Sequence, residues 1–221
     1  MTESNRTSFY DENYKRQNYF HYAAWMYAPY IANLIRFCGL KQGDSVLDVG
    51  CGQGFFSYLF GKHGMRVHGI DISETGIRAA DNLYGRPGIT FSVADIDTAS
   101  FPEPFDCVFV RSCSLYNTDT FPLQKEVSGN FLRHLKSRGT FIFVYNSNFS
   151  AKASPTWRYH SLTDVKRHFS DYTGAKIFFL NRITTYLLRR YSLTPFATRL
   201  NILLSKGSGM GGDLICILTK P

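Results

Sequence analysis

Val46-Leu47-Asp48-Val49-Gly50-Cys51-Gly52-Gln53-Gly54 is the stretch that decides the fold, because a short apolar run enters a turn rich in glycine. Glycine adopts backbone angles that other residues avoid, and its missing side chain lets a ligand lie against the main chain. A helical pattern begins at Phe55, so the turn would present backbone N–H groups at a helix N-terminus. The stretch predicts a strand, a turn and a helix that bind a flat polar ligand. A tight strand-to-helix connection without a ligand is the alternative for the turn taken alone.

Carboxylates follow the next two predicted strands. Asp71 ends the run 67–71 at the position where, about twenty residues after such a turn, a carboxylate accepts both hydrogen bonds of a ribose diol. Asp95 ends the run 91–95, where it could accept a hydrogen bond from an adenine amino group. Carboxyl ends of neighbouring parallel strands meet at one edge of a sheet. Together with Asp48 in the first strand, these residues predict a nucleoside site.

Short apolar runs alternate with helical patterns along most of the chain. Strands are predicted at 45–49, 66–70, 89–93, 105–110, 140–145, 176–180 and 213–219, and helices at 23–40, 55–63, 74–83, 121–135 and 162–172. Alternation of this kind predicts a mostly parallel sheet with helices on both faces.

In the order of these motifs the sequence resembles the class I S-adenosylmethionine-dependent methyltransferases, from about residue 45 to residue 144. The resemblance implies a doubly wound α/β fold with a seven-stranded sheet whose last strand is antiparallel. It implies S-adenosylmethionine as cofactor and S-adenosylhomocysteine as product. Asp71 would hold the ribose, Asp95 the adenine amino group, and the backbone after the fourth strand would meet the methionine part. The cofactor-binding residues implied in this way are Asp48, Gly50, Cys51, Gly52, Gly54, Asp71, Ile72, Asp95, Ile96 and Arg111.

Two alternatives use the same turn. A nicotinamide-dependent dehydrogenase has the pattern G-x-G-x-x-G, whereas the spacing here is G-x-G-x-G and Phe55 stands where the third glycine belongs. This alternative is therefore disfavoured. A module that binds the cofactor without catalysis stays open, because cofactor motifs do not demonstrate turnover.

The acceptor of the methyl group is predicted to be a small molecule. Enzymes that methylate amino groups of nucleic-acid bases place an Asn/Asp-Pro-Pro-aromatic tetrapeptide after the fourth strand, but 111–116 contains no proline. Nucleic acid is disfavoured as a partner for this reason. Resemblance of the layout to glycan and lipid-pathway methyltransferases favours an oxygen of a sugar or lipid-like metabolite. The candidate catalytic residues are His160 as a base and Tyr116 as an orienting group; a structural role at a helix start is the alternative for His160.

Residues 1–40 are predicted to form an aromatic helical cap on a methyltransferase domain at 41–221. The cap contains many aromatic residues between Tyr10 and Tyr30, and it resembles the helix that covers the cofactor in many small-molecule members. Ordinary packing of these aromatics on the sheet is the alternative, especially for Trp25 and Tyr30.

The positive charge of the chain is concentrated near its end. The net charge is +8, and residues 150–221 contain 11 of the 25 basic residues but three of the 17 acidic ones. A basic insertion at about 181–212 is predicted to form two short helices broken near Thr194 and Pro195. It predicts an anionic or lipid-linked acceptor, or a peripheral contact with an anionic membrane. In the alternative, its apolar face covers the sheet or a second subunit while the arginines are solvated.

Cysteine usage favours a reducing, cytoplasmic setting. The five cysteines include no C-x-x-C pair, so the sequence indicates neither a disulfide framework nor a zinc site, and no metal is predicted. No apolar run approaches the roughly 18 residues that a membrane-spanning helix needs. The sequence makes no prediction of oligomeric state.

Overall fold

The computed structural model describes residues 3–117, 125–147, 157–172 and 174–221. Its centre is a seven-stranded sheet in the order β3-β2-β1-β4-β5-β7-β6. The strands are β1 (Ser45–Val49), β2 (Arg66–Asp71), β3 (Ile89–Val93), β4 (Phe105–Arg111), β5 (Leu135–Asn146), β6 (Lys176–Asn181) and β7 (Gly212–Thr219). The helices around it are α1 (Glu3–Tyr14), α2 (Ala24–Cys38), α3 (Phe55–Lys62), α4 (Glu74–Tyr84), α5 (Lys125–Arg133), α6 (Leu162–His168) and α7 (Pro195–Ser208).

The sheet has the predicted doubly wound arrangement. Strands β1, β2 and β3 pair in parallel, whereas β7 is antiparallel to both β5 and β6. The buried strands are rich in Val, Ile and Phe, and the central residues of β4 and β5 are fully buried, as expected for strands covered on both faces. The predicted fold class is therefore confirmed.

The chain forms two compact units, Met1–Phe109 and Val110–Pro221. In the first, α3 and α4 pack on the parallel strands and α1 packs on α4. In the second, α7 packs on β6, and β7 lies between β5 and β6.

Most element boundaries agree with the prediction, for local reasons. Gly39 ends α2 in the left-handed conformation, with φ of 68°. Ser161 and Asp164 form the predicted capping box at the start of α6. The basic insertion divides as predicted into a π-helical turn, Ile183–Leu187, and α7, whose first turn is capped by Thr194.

Two predicted helices differ from the structure. The helix predicted at 121–135 is α5, which ends at Arg133 because β5 already begins at Leu135; its predicted start at 121–124 lies outside the described residues. The helix predicted at 162–172 ends at His168, and Phe169 is its C-cap residue.

Candidate functional site

The glycine turn between β1 and α3 has the geometry that its sequence requires. Gly50, Gly52 and Gly54 all have positive φ, at 73°, 52° and 80°. A Cβ at Gly54 would lie 2.8 Å from the Phe91 ring and 2.9 Å from the Ala80 methyl group. Both the backbone angle and the lack of space therefore require glycine at this position. Glycine at this position therefore lets the turn pack closely against β3 and α4.

The start of the turn is anchored on β2 and on the buried carboxyl group of Asp48. The N–H groups of Gly50 and Cys51 both donate to the Ile70 carbonyl, at 2.8 and 3.0 Å. Asp48 is 2% exposed, and its Oδ2 accepts a 2.6 Å hydrogen bond from the Ser57 hydroxyl of α3. Burial raises the pKa of Asp48 to about 7. Asp48 thus ties β1 to α3 beneath the turn.

Asp71, at the end of β2, reaches the glycine turn directly. Its Oδ2 accepts the Gly52 N–H at 2.8 Å, and its Oδ1 accepts the Ser73 N–H at 2.9 Å. Burial raises the pKa of Asp71 to about 6, while the two backbone donors act in the opposite direction. A carboxylate oxygen has lone pairs for more than one donor, so each oxygen can accept a further hydrogen bond from a hydroxyl group. The structure brings together two predicted site residues, Asp71 and Gly52.

The end of β3 lies beside the end of β2, because the Ala94 N–H donates to the Asp71 carbonyl at 3.0 Å. The next residue, Asp95, is half-buried, and its Oδ1 accepts the Asp97 N–H at 2.9 Å. Ile96 is 3% exposed, whereas Ile72 is half-buried. The predicted ribose and adenine residues therefore follow neighbouring strands at one edge of the sheet.

The first helix, α1, is fixed over the glycine turn. Asp11 Oδ1 accepts the Ser73 hydroxyl at 2.6 Å and the Thr75 N–H at 3.1 Å. Tyr14 is 5% exposed, and its hydroxyl oxygen lies 2.8 Å from the position that a Cβ at Gly52 would occupy. The α1 helix thus covers the turn and the start of α4.

Gln53 holds the chain after α1 in place. Its Nε2 donates to the carbonyls of Tyr14 and Arg16, at 3.1 and 2.9 Å, and its Oε1 accepts the Tyr19 N–H at 3.0 Å. Sequence reasoning missed Asp11 and Gln53 as site residues. The glutamine lies inside the motif G-x-G-x-G, but its partners are more than 30 residues earlier, and no local pattern marks them.

In the second unit, Arg111 at the end of β4 lies against an acidic residue of β7. Its Nη1 is 3.4 Å from Asp213 Oδ2, and both side chains are at most 10% exposed. Arg111 is predicted as a cofactor-binding residue because the backbone after the fourth strand would meet the methionine part of the cofactor. There the Ser112 N–H donates to the Val144 carbonyl at 2.9 Å, with φ of 48° at Ser112.

Tyr116 and His160 are brought together in the second unit, and both are buried. His160 Nε2 lies 2.7 Å from the Tyr116 carbonyl, which can only accept, so Nε2 carries a proton. The Tyr116 hydroxyl lies 2.8 Å from Ser128 Oγ, which is 2.7 Å from His168 Nε2. Burial raises the pKa of Tyr116. These contacts account for both side chains as part of the core, and a catalytic role for either stays a prediction.

A family model described as a methyltransferase domain matches residues 40–177, more than half of the chain. The chain belongs to this methyltransferase family. The match confirms the predicted class, whose members use S-adenosylmethionine, and decides against the dehydrogenase alternative.

Curated relatives match just under half of the chain. Over 104 residues the chain is 38% identical to phosphoethanolamine N-methyltransferase 1 from Zea mays, covering 45% of this chain and 20% of that protein. Over 107 residues it is 36% identical to 2-methyl-6-phytyl-1,4-hydroquinone methyltransferase from Synechocystis sp., covering 47% of this chain and 32% of that protein. The matches therefore span between a fifth and a third of these relatives.

Solved structures share the fold over nearly the whole chain. Phosphoethanolamine N-methyltransferase 2 from Haemonchus contortus, in complex with phosphomonomethylethanolamine and S-adenosylhomocysteine, has a TM-score of 0.67 at 19% identity, covering 98% of this chain and 59% of that one. A TehB-like methyltransferase from Corynebacterium glutamicum has a TM-score of 0.59 at 17% identity, covering 99% of this chain and all of that one. These likenesses show the fold of the class.

Within residues 3–117, 125–147, 157–172 and 174–221, no helix has the length and apolar character needed to cross a membrane. In the same parts of the chain, no cluster of three or more His, Cys, Asp or Glu residues could hold a metal ion.

Proposed function

We propose that this chain transfers the methyl group of S-adenosylmethionine to a small-molecule acceptor. The observation that carries the proposal is the pair of contacts made by Asp71, whose carboxylate joins the Gly52 N–H of the turn to the start of α4. This arrangement places a carboxylate beside the glycine turn at the carboxyl end of a parallel strand, which suits a ribose bound next to the turn.

The residues of the first unit would bind and orient the cofactor. Asp71 would accept hydrogen bonds from the two ribose hydroxyl groups. Asp95 with Ile72 and Ile96 would contact the adenine. The turn 50–54 would lie against the rest of the cofactor. Asp48 would support the turn from below through Ser57. When bound, the cofactor supplies an electrophilic methyl group on a positively charged sulfur. Such a transfer is accelerated mainly by positioning and by exclusion of water.

Residues 1–40 are proposed to act as the cap that excludes water. Burial of Tyr14 over Gly52 and the contacts of Asp11 with the start of α4 support this role. Tyr30 is 2% exposed and therefore belongs to the core, whereas Trp25 is 58% exposed. Tyr30 is thus a packing residue, whereas most of the Trp25 side chain is accessible.

His160 is the proposed base for an acceptor that retains its proton, with Tyr116 as the orienting group. Because Nε2 donates to the Tyr116 carbonyl, Nδ1 is the nitrogen of the neutral ring that would take up a proton. His160→Gln separates this role from a structural one, since the glutamine amide can still donate to that carbonyl but is not a base. Loss of turnover in both His160→Gln and His160→Ala supports catalysis. Turnover retained by the glutamine variant assigns His160 to the structure.

The acceptor is proposed to be anionic or lipid-linked, with an oxygen of a sugar or lipid-like metabolite as the methylated atom. Support comes from the basic segment 172–212, which contains no acidic residue. A peripheral membrane contact and a cytoplasmic location complete the proposal; the lack of a C-x-x-C pair among the five cysteines supports the latter.

The test is a transfer assay with methyl-labelled cofactor and fractionated small-molecule extracts, beside calorimetry with S-adenosylhomocysteine. We expect binding of S-adenosylhomocysteine and a labelled product in at least one fraction. Asp71→Ala, which removes the carboxylate, is the matched control that should bind S-adenosylhomocysteine at least about tenfold more weakly and give less labelled product. Binding without any product would favour the non-catalytic module, and absence of binding by the folded native chain would overturn the proposal.

A further inference from the structure

The polar side of α7 covers the outer edge of the sheet. Among the described strands β6 is the last in the sheet order, so one of its edges faces no other strand. Two of its backbone N–H groups donate to side chains of α7 instead: that of Phe179 to Thr198 Oγ1 at 3.4 Å, and that of Asn181 to Asn201 Oδ1 at 3.0 Å. Backbone donors at a sheet edge need partners or protection. The helix supplies both.

The Asn181 side chain extends this polar contact. Its Nδ2 donates to the Ser205 hydroxyl and to the Met210 carbonyl, the latter at 3.1 Å. Thr198, Asn201 and Ser205 are 8%, 4% and 1% exposed. The buried side of α7 is therefore hydrophilic, which is the reverse of the usual surface helix.

The apolar side of α7 faces solvent as a consequence. Phe196, Leu200 and Leu203 recur at the spacing of one helical face, and they are 78%, 47% and 66% exposed. Just before the helix, Leu187 and Leu188 are 75% and 59% exposed. We call Phe196, Leu200 and Leu203 the apolar stripe. Contiguous exposed apolar surface of this kind indicates an interaction site.

Basic residues flank the apolar stripe. Arg199 and Lys206, seven positions apart, lie on the same side of it along the helix, and both are exposed. Arg189 and Arg190 are exposed beside Leu188. No acidic residue occurs between 172 and 212 to offset them.

These charges decide between two occupants of the apolar stripe. A second copy of the chain meeting it through the same surface would bring like charges together without acidic partners, which disfavours association. An anionic bilayer instead supplies opposite charge at its surface and an apolar layer beneath it. A helix with an apolar face and flanking Lys and Arg binds at that boundary.

We propose that α7 docks on an anionic lipid bilayer, with the apolar stripe inserted at the interface and Arg199 and Lys206 at the headgroups. The proposal rests on the proposed function in one respect, that the acceptor is lipid-linked. Membrane docking is nevertheless measured without any acceptor, so the two proposals fail separately.

The experiment is sedimentation of the full chain with phosphatidylcholine vesicles, with and without phosphatidylglycerol. The anionic vesicles should bind the native chain at least about tenfold more tightly, and added salt should weaken this binding. Phe196→Ser with Leu203→Ser, and separately Arg199→Glu with Lys206→Glu, should each reduce binding to anionic vesicles about tenfold or more.

Lys41→Glu with Lys62→Glu is the matched control, since it makes the same change in net charge at exposed positions of the first unit. It should bind the anionic vesicles better than the charge variant of α7. All variants change outward-facing residues, so they should keep the native melting temperature and the native affinity for S-adenosylhomocysteine.

Three results would overturn the proposal. The first is equal binding of the native chain to neutral and anionic vesicles, or to neither. The second is native-like vesicle binding by both α7 variants. The third is a native dimer in sedimentation velocity that the Phe196→Ser, Leu203→Ser variant dissociates, because this would assign the apolar stripe to a second copy.

Discussion

Removal of the Asp71 carboxylate is the most informative perturbation of the cofactor site. A ribose diol bound by this carboxylate would make two charge-assisted hydrogen bonds, each contributing about 1.5 to 3 kcal/mol. Asp71→Ala also leaves the N–H groups of Gly52 and Ser73 without their present acceptor. We therefore expect the affinity for S-adenosylhomocysteine to fall at least about tenfold, and about a hundredfold if both bonds contribute 1.5 kcal/mol. Calorimetry measures this loss.

The matched control is Asp95→Ala. The Asp95 carboxylate is only half-buried, and adenine recognition is shared with apolar and backbone contacts. Its removal should cost less affinity than removal of the Asp71 carboxylate.

The same carboxylate predicts the pH dependence of binding. Because burial raises the pKa of Asp71 to about 6, an appreciable fraction is protonated in slightly acidic solution. The ribose hydroxyls donate to the ionised form, so ligand binding favours it and lowers this pKa. Affinity should be full well above pH 6 and fall about tenfold for each pH unit below it. In Asp71→Asn the affinity should be weaker and should lose this dependence.

Asp48 titrates nearby, with a pKa of about 7, but its carboxyl group contacts Ser57 beneath the turn. Asp48→Asn should therefore retain the loss of affinity below pH 6. Unchanged affinity in folded Asp71→Ala, or native affinity that is constant between about pH 5 and pH 8, would refute the assignment of Asp71 to the ribose.

Two further predictions concern the turn. The pKa of Asp48 is raised on folding from 3.8 to about 7, so its contribution to stability is fully present below pH 3.8 and is lost as pH rises through 7. The native chain should therefore lose up to about 4 kcal/mol of unfolding free energy over this pH range, and Asp48→Asn should not show this loss. Urea unfolding at low and high pH measures the difference. A native unfolding free energy that rises with pH, or the same pH dependence in Asp48→Asn, would contradict this prediction. Gly52→Ala would place a Cβ 2.8 Å from the Tyr14 hydroxyl, at a φ of 52°, and should lower S-adenosylhomocysteine affinity about tenfold and stability by about 1 kcal/mol. Tyr14→Phe in the same chain should recover part of both, and strict additivity in the double variant would exclude the contact.

The first three strands and their turn could be predicted from the sequence because their signals are local. An apolar run, glycines at positive φ and a carboxylate at a strand end lie within a few residues of one another, and the backbone alone fixes how they meet. Asp71 is the clearest example, since its position after β2 suffices to place it beside the turn. The contact of Gly52 with Tyr14 lies beyond such reasoning, because nothing local relates α1 to a turn almost 40 residues later.

The second unit was less predictable because its polar contacts join distant segments. Arg111 lies against Asp213, about a hundred residues further along the chain, and the Tyr116 hydroxyl reaches His168 through Ser128. Residue type identified these side chains as candidates for chemistry. Burial among such partners is a property of the packed chain. It explains the position of the Tyr116 side chain without a bound methyl acceptor.

The basic insertion shows what an amphipathic pattern leaves undetermined. The pattern separates an apolar from a polar side, and the usual expectation is that the apolar side covers the sheet. That expectation is wrong for α7, where Thr198, Asn201 and Ser205 are buried and the apolar stripe is exposed. The reason is the demand for hydrogen-bond partners at the edge of β6, since the N–H groups of Phe179 and Asn181 would otherwise be left without acceptors. The orientation of α7 is thus set by its hydrogen bonds with β6, and its apolar stripe faces solvent.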